Sequence, residues 1–257
     1  SNGIEPIGIL LAVMLPEGTT EEDITHIMGQ AAETAAECNI EIIGGHTEIT
    51  KAVNRPVVVS TAVGRGSKGQ SASASEIKPG DAILMTKTAG IEGTGIIACD
   101  YEEELREVLS GEELEHAKSL LSKVSVVKDG IIAGRIGTHG MHDVTEGGIL
   151  GAVWEMCSIA GTGARLDAEA IPADDVTRRI CEHYDINMLR LISSGSMLIM
   201  TEEDKKEEII RELAAQGIPA AQIGKIVPKE EGLSICEGGK QTQIDPPGPD
   251  ELYKIVK

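Results

Sequence analysis

Residues Thr138 to Ala160 read THGMHDVTEGGILGAVWEMCSIA. Two histidines, two acids and a Gly-Gly pair fall between His139 and Gly148, and an amphipathic helix follows directly. Its apolar residues Ile149, Leu150, Val153, Trp154 and Cys157 recur at i, i+1, i+4, i+5 and i+8, the stripe of a helix that buries one side. The first turn of any helix leaves backbone N–H groups without intrahelical partners and carries partial positive charge. Glycines at 147 and 148 let an anion come close, and the carboxylates of Asp143 and Glu146 are ligands that a hard Mg2+ ion takes. The alternative is that Asp143 or Thr145 caps the helix while Glu146 favours its dipole. On this stretch alone the capping reading comes first, because capping is the commoner use of such residues.

The chain around it has 257 residues, enough for one large domain or two ordinary ones. Hydrophobic residues make up 41%, which is globular, and with no Phe and 2% aromatics the core has to be Ile, Leu, Val, Met and Ala. A net charge of −19 disfavours nucleic acid and anionic membrane as partners. It leaves room for nucleotides held through Mg2+ and backbone amides. The five cysteines are scattered without a C-x-x-C pair, so neither a zinc site nor a disulfide framework is expected, and a reducing cytoplasm is. No apolar run reaches transmembrane length.

Toward the N-terminus, Ile7 to Leu15 reads as a buried strand between two prolines. Thr19 with Glu22, or Thr20 with Asp23, has capping-box spacing for a helix running to about Cys38 with Ile24, Ile27, Met28, Ala31 and Ala35 on its core face. A short strand from Ile40 to Ile43 then leads into GGHTE, Gly44 to Glu48. Twin glycines after a strand allow a sharp turn, and His46, Thr47 and Glu48 would face whatever lies at the strand end, as metal or phosphate contacts or as an ordinary polar loop. Pro56 to Val63 is a second β-branched strand. The GRGSKG after it satisfies G-x-G-x-x-G, but a polar loop follows instead of a helix, so no dinucleotide fold is assigned and the loop is read as a domain boundary.

From Asp81 the pattern restarts. Ala82 to Thr86 is a strand, followed by Lys87 and by GIEGTG, Gly90 to Gly95, opening a short helix at Ile96 to Cys99. A glycine-rich turn with a lysine beside it can cradle phosphate or can be a plain tight connection. Helices fill Tyr101 to Leu109, Gly111 to Ser122 and Val124 to Ile136, up to the opening stretch. Beyond it come a strand near Ala164 to Leu166, a helix from Ala173 to His183, and Ser193-Ser194-Gly195 before a strand at Ser196 to Met200. A helix from Glu202 to Gln216 and a strand from Ala221 to Val227 complete a β-α-β unit, and Asp250 to Val256 is a short terminal helix. His139 and His142 lack a third ligand at a familiar zinc spacing, and a hydrogen-bonding role suits them better.

GGHTE, GDAILMTK with GIEGTG, HDVTEGG and SSG, in that order, resemble the aminoimidazole ribonucleotide synthase (PurM-like) superfamily over nearly the whole chain, with HDVTEGG the most specific part. The texture is most similar to the hydrogenase-maturation carbamoyl dehydratase group and its uncharacterised relatives. The resemblance implies an α+β fold of mixed α/β layers in two domains. Residues 1–75 would be the remainder of an N-terminal ATP-binding and dimerisation domain, and residues 76–257 a C-terminal α/β domain. It implies ATP with Mg2+, a homodimer, and transfer of the γ-phosphate to an unknown small-molecule or protein acceptor, by a phosphotransferase or ligase-type reaction. Matched to the motifs, Glu48 and Asp143 would be catalytic and metal contacts. Gly44, Gly45, His46, Thr47, His142, Thr145, Gly147, Gly148 and Gly195 would line the nucleotide. The alternatives are a non-catalytic nucleotide- or metabolite-binding dimer and a hydrogenase-maturation subunit acting through a partner.

The pattern departs from the family in three places. Members carry a further glycine-rich N-terminal segment with acidic Mg2+ ligands, expected upstream of Ser1. Many have an acid where His46 stands. The carbamoyl dehydratases use a cysteine at the extreme C-terminus, whereas this chain ends in Tyr253 to Lys257 and its last cysteine is Cys236, so that reaction is not assigned.

Overall fold

The structure is a computed structural model and describes residues 3–66 and 73–256; the end of the GRGSKG motif and the start of the polar loop after it lie outside them. The chain divides into two compact units, one of residues Ile4–Lys68 and one of Gly69–Lys257 together with Ser1–Gly3.

The smaller unit holds β1 (Glu5–Leu15), α1 (Glu21–Glu37), β2 (Glu41–Ile49) and β3 (Val57–Arg65), with the sheet order β2-β1-β3. Alternation along β1 sends Leu11, Val13 and Leu15 into the core, where Ile24, Ile27, Met28 and Ala31 of α1 meet them. The helix begins at a capping box in which Thr20 and Asp23 satisfy each other's backbone amides. GGHTE is not the turn that its twin glycines suggest. It lies inside β2, paired parallel to β1 with Gly45 opposite Leu11 and Glu48 opposite Met14. The glycines serve the approach of the two strands, since a Cβ on Gly45 would stand 1.9 Å from the Leu11 carbonyl oxygen.

The larger unit is a seven-stranded sheet with helices on both faces. In chain order it contains β4 (Ala82–Thr86), α2 (Ile91–Asp100), α3 (Glu102–Leu105), α4 (Gly111–Ser119), α5 (Val127–Ile136), β5 (Gly140–Asp143), α6 (Gly148–Ala160), β6 (Gly163–Asp167), α7 (Asp175–His183), β7 (Met197–Thr201), α8 (Lys206–Ala215), β8 (Ala220–Val227), β9 (Leu233–Glu237) and β10 (Lys240–Gln243). The strand order is β10-β9-β6-β8-β4-β7-β5. β7 and β8 both run antiparallel to β4, so α8 crosses over the strand between them. Strands β4 and β7 are buried along their whole length because both faces are covered. Ile83 and Met85 pack toward α6, while Ala82 and Leu84 pack toward α5 and α8. A third cluster joins α2, α4 and α7 to Leu252 and Ile255 of the tail.

Further expectations change, among them the helix expected over Tyr101 to Leu109, which is only Glu102–Leu105. The α2 helix starts at Ile91 rather than after GIEGTG, so Gly93 and Gly95 are helical and sit where Leu191 and Leu121 press on them. The α6 helix is enclosed on all sides over its first half, with Gly148 through Val153 all buried, whereas Trp154 of the expected stripe is only half-buried. The tail forms a 3-10 turn, Glu251–Lys254, in place of an α-helix. Among the described residues no helix is long and apolar enough to cross a membrane.

Candidate functional site

The HDVTEGG motif spans a strand end and a helix start. His142 and Asp143 close β5, which pairs with β7, and α6 begins only at Gly148. Neither Asp143 nor Thr145 caps the helix. The N-cap is Gly147, in the left-handed region at φ +79°, and it has no side chain to offer. The cap comes from far along the chain: Asp250, only 3% exposed, accepts the Gly147 amide on Oδ2 at 2.7 Å. Its Oδ1 accepts the Ile192 amide at 3.1 Å and the Leu252 amide at 2.9 Å. An anion therefore does sit at this helix start, as the partial positive charge there favours, but it is a carboxylate of the protein.

One connection, residues 187–196, gathers the motifs. Gly148 backs onto it so closely that a Cβ would stand 2.6 Å from the Leu189 carbonyl oxygen. The Gly90 amide donates to Ser193 Oγ at 2.8 Å and the Gly93 amide to the Ile192 carbonyl at 3.1 Å. Ser196 Oγ donates to the Thr88 carbonyl at 2.6 Å, and the Val144 amide donates to the Ser196 carbonyl at 3.0 Å. GIEGTG, SSG and DVTEGG are thus stitched together around one loop of the larger unit. GGHTE belongs to the smaller unit.

Lys87 does not reach for phosphate. It occupies the left-handed region at φ +55°, and its ammonium donates to Asp129 Oδ1 at 2.7 Å, to the Gly195 carbonyl at 2.7 Å and to the Ser125 carbonyl at 3.2 Å. An ammonium has three donors, so all are used. Gly195, expected to line a cleft, instead gives its carbonyl to Lys87, and a Cβ there would stand 2.7 Å from the Lys123 carbonyl oxygen. The ion pair with Asp129, itself 1% exposed, ties α5 to the loop after β4.

Asp143 is half-buried, and among the described residues its carboxylate has no hydrogen-bond or ion-pair partner; the same holds for the hydroxyl of Thr145 and the exposed Glu146. His142 is engaged elsewhere: Nδ1 meets the Asp143 carbonyl and Nε2 lies 3.3 Å from Glu155 of α6, so as placed it packs against the helix rather than facing a ligand. His139 Nδ1 bonds the buried Asp81 at 2.8 Å, the structural use expected of it. In the smaller unit His46 and Glu48 lie two apart on β2, on one face, with His46 Nε2 3.5 Å from Glu48 Oε2 and both well exposed. Thr47 points to the other face. Gly44 and Gly45 are consumed by strand pairing. Among the described residues no group of three or more His, Cys, Asp or Glu side chains is placed to hold a metal ion.

Sequence reasoning passed over Asp129, Asp250, Ser193 and Ser196. Only the serines carried a local signal, as part of or next to SSG. Burial pushes the Cys157 thiol up to about 11 and the Cys181 thiol up to about 12, the latter helped by Glu251, so neither is a nucleophile near neutral pH.

A mixed α/β unit with its glycine motifs folded around one loop and a separate three-stranded unit carrying GGHTE make a PurM-like pair of domains. The chain belongs to the AIR synthase related protein family: the family's C-terminal domain matches residues 78–236 and its N-terminal domain residues 1–66. A putative hydrogenase expression/formation protein of Methanocaldococcus jannaschii is 25% identical over 259 residues, covering 98% of this chain and 74% of the relative. Carbamoyl dehydratase HypE of Escherichia coli is 26% identical over 260 residues, covering 99% and 74%. The crystal structure of E. coli HypE matches with a TM-score of 0.84 at 24% identity, covering 99% of this chain and 78% of that one. A HypE solved in complex with ATP matches with a TM-score of 0.76 at 19% identity, covering 99% and 76%. These structural likenesses establish the fold.

Proposed function

We propose that the chain is an ATP-dependent phosphoryl-transfer or activating enzyme of its superfamily, acting on a small-molecule or protein acceptor. The observation that carries this reading is the gathering of DVTEGG, SSG and GIEGTG around residues 187–196, with the Asp143 carboxylate and Thr145 hydroxyl beside it left without partners among the described residues. The HypE solved with ATP supports the choice of nucleotide. When bound, Mg·ATP supplies the γ-phosphoryl group and the charge that neutralises it.

The donor chemistry fits. Mg2+ is commonly held by one or two carboxylates, with phosphate oxygens and water completing its shell, so a cage of three protein ligands is not required. Asp143 is the carboxylate of the larger unit assigned this role, with Thr145 a hydrogen-bonding contact. In the smaller unit, taken by itself, Glu48 next to His46 is assigned a metal or phosphate contact. The glycines contribute close packing that holds these side chains, and the reaction rests on positioning and charge neutralisation, with no covalent protein nucleophile. Calorimetric titration with Mg·ATP is expected to show binding that weakens about tenfold or more in Asp143→Ala, and ADP release is expected to fall with it. Equal affinity in the variant would remove Asp143 from the site.

A homodimer is proposed through the sheet of the smaller unit. Ile7, Leu10, Ile43 and Val59 are 39–51% exposed there, an apolar surface of the kind that marks an interaction site. Light scattering should return twice the chain mass, and Val59→Lys should return a monomer. A wild-type mass of one chain at micromolar concentration would refute the dimer. The name of the M. jannaschii relative favours a second reading, a hydrogenase-maturation subunit acting through a partner.

A further inference from the structure

Past the first half of α6, away from the glycine motifs, the helix borders a hollow of about 430 Å3 that no part of the proposed reaction uses. Volumes of this size hold small organic molecules. Its floor is Cys157, fully buried, and Ile244, 3% exposed. Trp154, the only tryptophan of the chain, is half-buried and forms one wall. Polar side chains are few. Thr162 Oγ1 is buried, and its one polar side-chain neighbour is the Cys157 thiol of the same lining, a weak hydrogen-bonding partner. The amide of Gln243 and the ammonium of Lys229 make no side-chain hydrogen bond or ion pair among the described residues, and Lys229 is the single charged group in the lining.

An apolar floor, an aromatic wall, a buried hydroxyl with only a thiol for a partner and one cation together define a ligand by chemistry. The geometry points to a binding site for a small planar aromatic molecule carrying one anionic group. The ring stacks on Trp154, a polar ring atom or substituent satisfies Thr162, and the carboxylate or comparable anion faces Lys229. The neighbouring Glu231 does not compete for Lys229, because it is held by Arg165 at 2.8 Å.

The experiment uses the intact chain and does not depend on the nucleotide reading. Because Trp154 is the only tryptophan, its indole N–H gives a single cross-peak in a 1H–15N spectrum of labelled protein. The probes are benzoate, nicotinate and, as the uncharged analogue, nicotinamide. A saturable shift of that cross-peak with at least one of the two anions is expected, weakened about tenfold or more in Lys229→Gln and for nicotinamide. Lys229 is exposed, so the variant keeps its fold, and unchanged cross-peaks elsewhere in the spectrum check this. The proposal is overturned by the absence of a saturable shift up to about 10 mM of either anion, or by equal binding in Lys229→Gln, or by equal binding of nicotinamide.

Discussion

Asp129→Ala lowers the stability of the larger unit by about 3–5 kcal/mol, the usual consequence of removing one partner of a buried ion pair. The Asp129 side chain is 2% exposed and that of Lys87 16%, so neither is screened by solvent as a surface pair would be. Without Asp129 the ammonium keeps only carbonyl acceptors, those of Gly195 and Ser125. It also sits on a left-handed backbone, which a lysine adopts only where its surroundings enforce it. With no counter-charge the ammonium is drawn toward water, which weakens its bond to the Gly195 carbonyl and so the hold on the connection at 193–196, next to the Ser193 and Ser196 bonds to the loop after β4. Urea unfolding followed by Trp154 fluorescence measures the loss, and a change below about 1 kcal/mol would show that the pair contributes little. Asp129→Asn keeps an acceptor and is expected to fall between. Replacing both residues by apolar ones of similar size should recover much of the loss, because the cost lies in the unpaired charge more than in the absence of the pair.

What could be read in the sequence was whatever depends on neighbours along the chain. The β4 strand is a run of apolar residues between turn residues, and the structure begins and ends it at Ala82 and Thr86, as that run suggests. The α1 helix announced its Thr20–Asp23 box and its core stripe for the same reason. GGHTE misled because its glycines answer to a partner strand: only pairing with β1, through Gly45 against Leu11, explains why residues without a Cβ stand in the middle of a strand. β5 went unread because four residues, one of them glycine, carry too little periodicity to register. The candidate site divides along the same line. Its motifs were legible as words, and their meeting at 187–196 was not, since the bonds that join them span 103 residues for Gly90–Ser193 and 108 for Thr88–Ser196. Lysine beside a glycine turn suggested phosphate. The acid 42 residues away that claims this lysine leaves no local trace.

Asp250→Ala is the second large effect, expected at about 2–4 kcal/mol. One buried carboxylate accepts three backbone amides from three separate segments, Gly147 at the start of α6, Ile192 in the gathering loop and Leu252 in the tail. Truncation leaves those donors to water or to nothing, and it removes a negative charge from the positive end of a helix. The damage is directional. Leu252 and Ile255 are docked against the α2–α4–α7 cluster by the turn that Asp250 initiates, so hydrogen exchange in residues 250–256 should accelerate before the sheet is affected. Asp250→Asn retains an acceptor without the charge and should lose roughly half as much. The variant also separates two meanings of the helix start. If Asp250 occupies a position where an anion is favoured, inorganic phosphate should raise the midpoint of Asp250→Ala more than that of the wild type, since it binds the folded state through the freed amides. Equal stabilisation of both proteins by phosphate would mean that the α6 start is merely capped. An Ala variant within about 1 kcal/mol of wild type would mean that the tail is held by its apolar contacts alone.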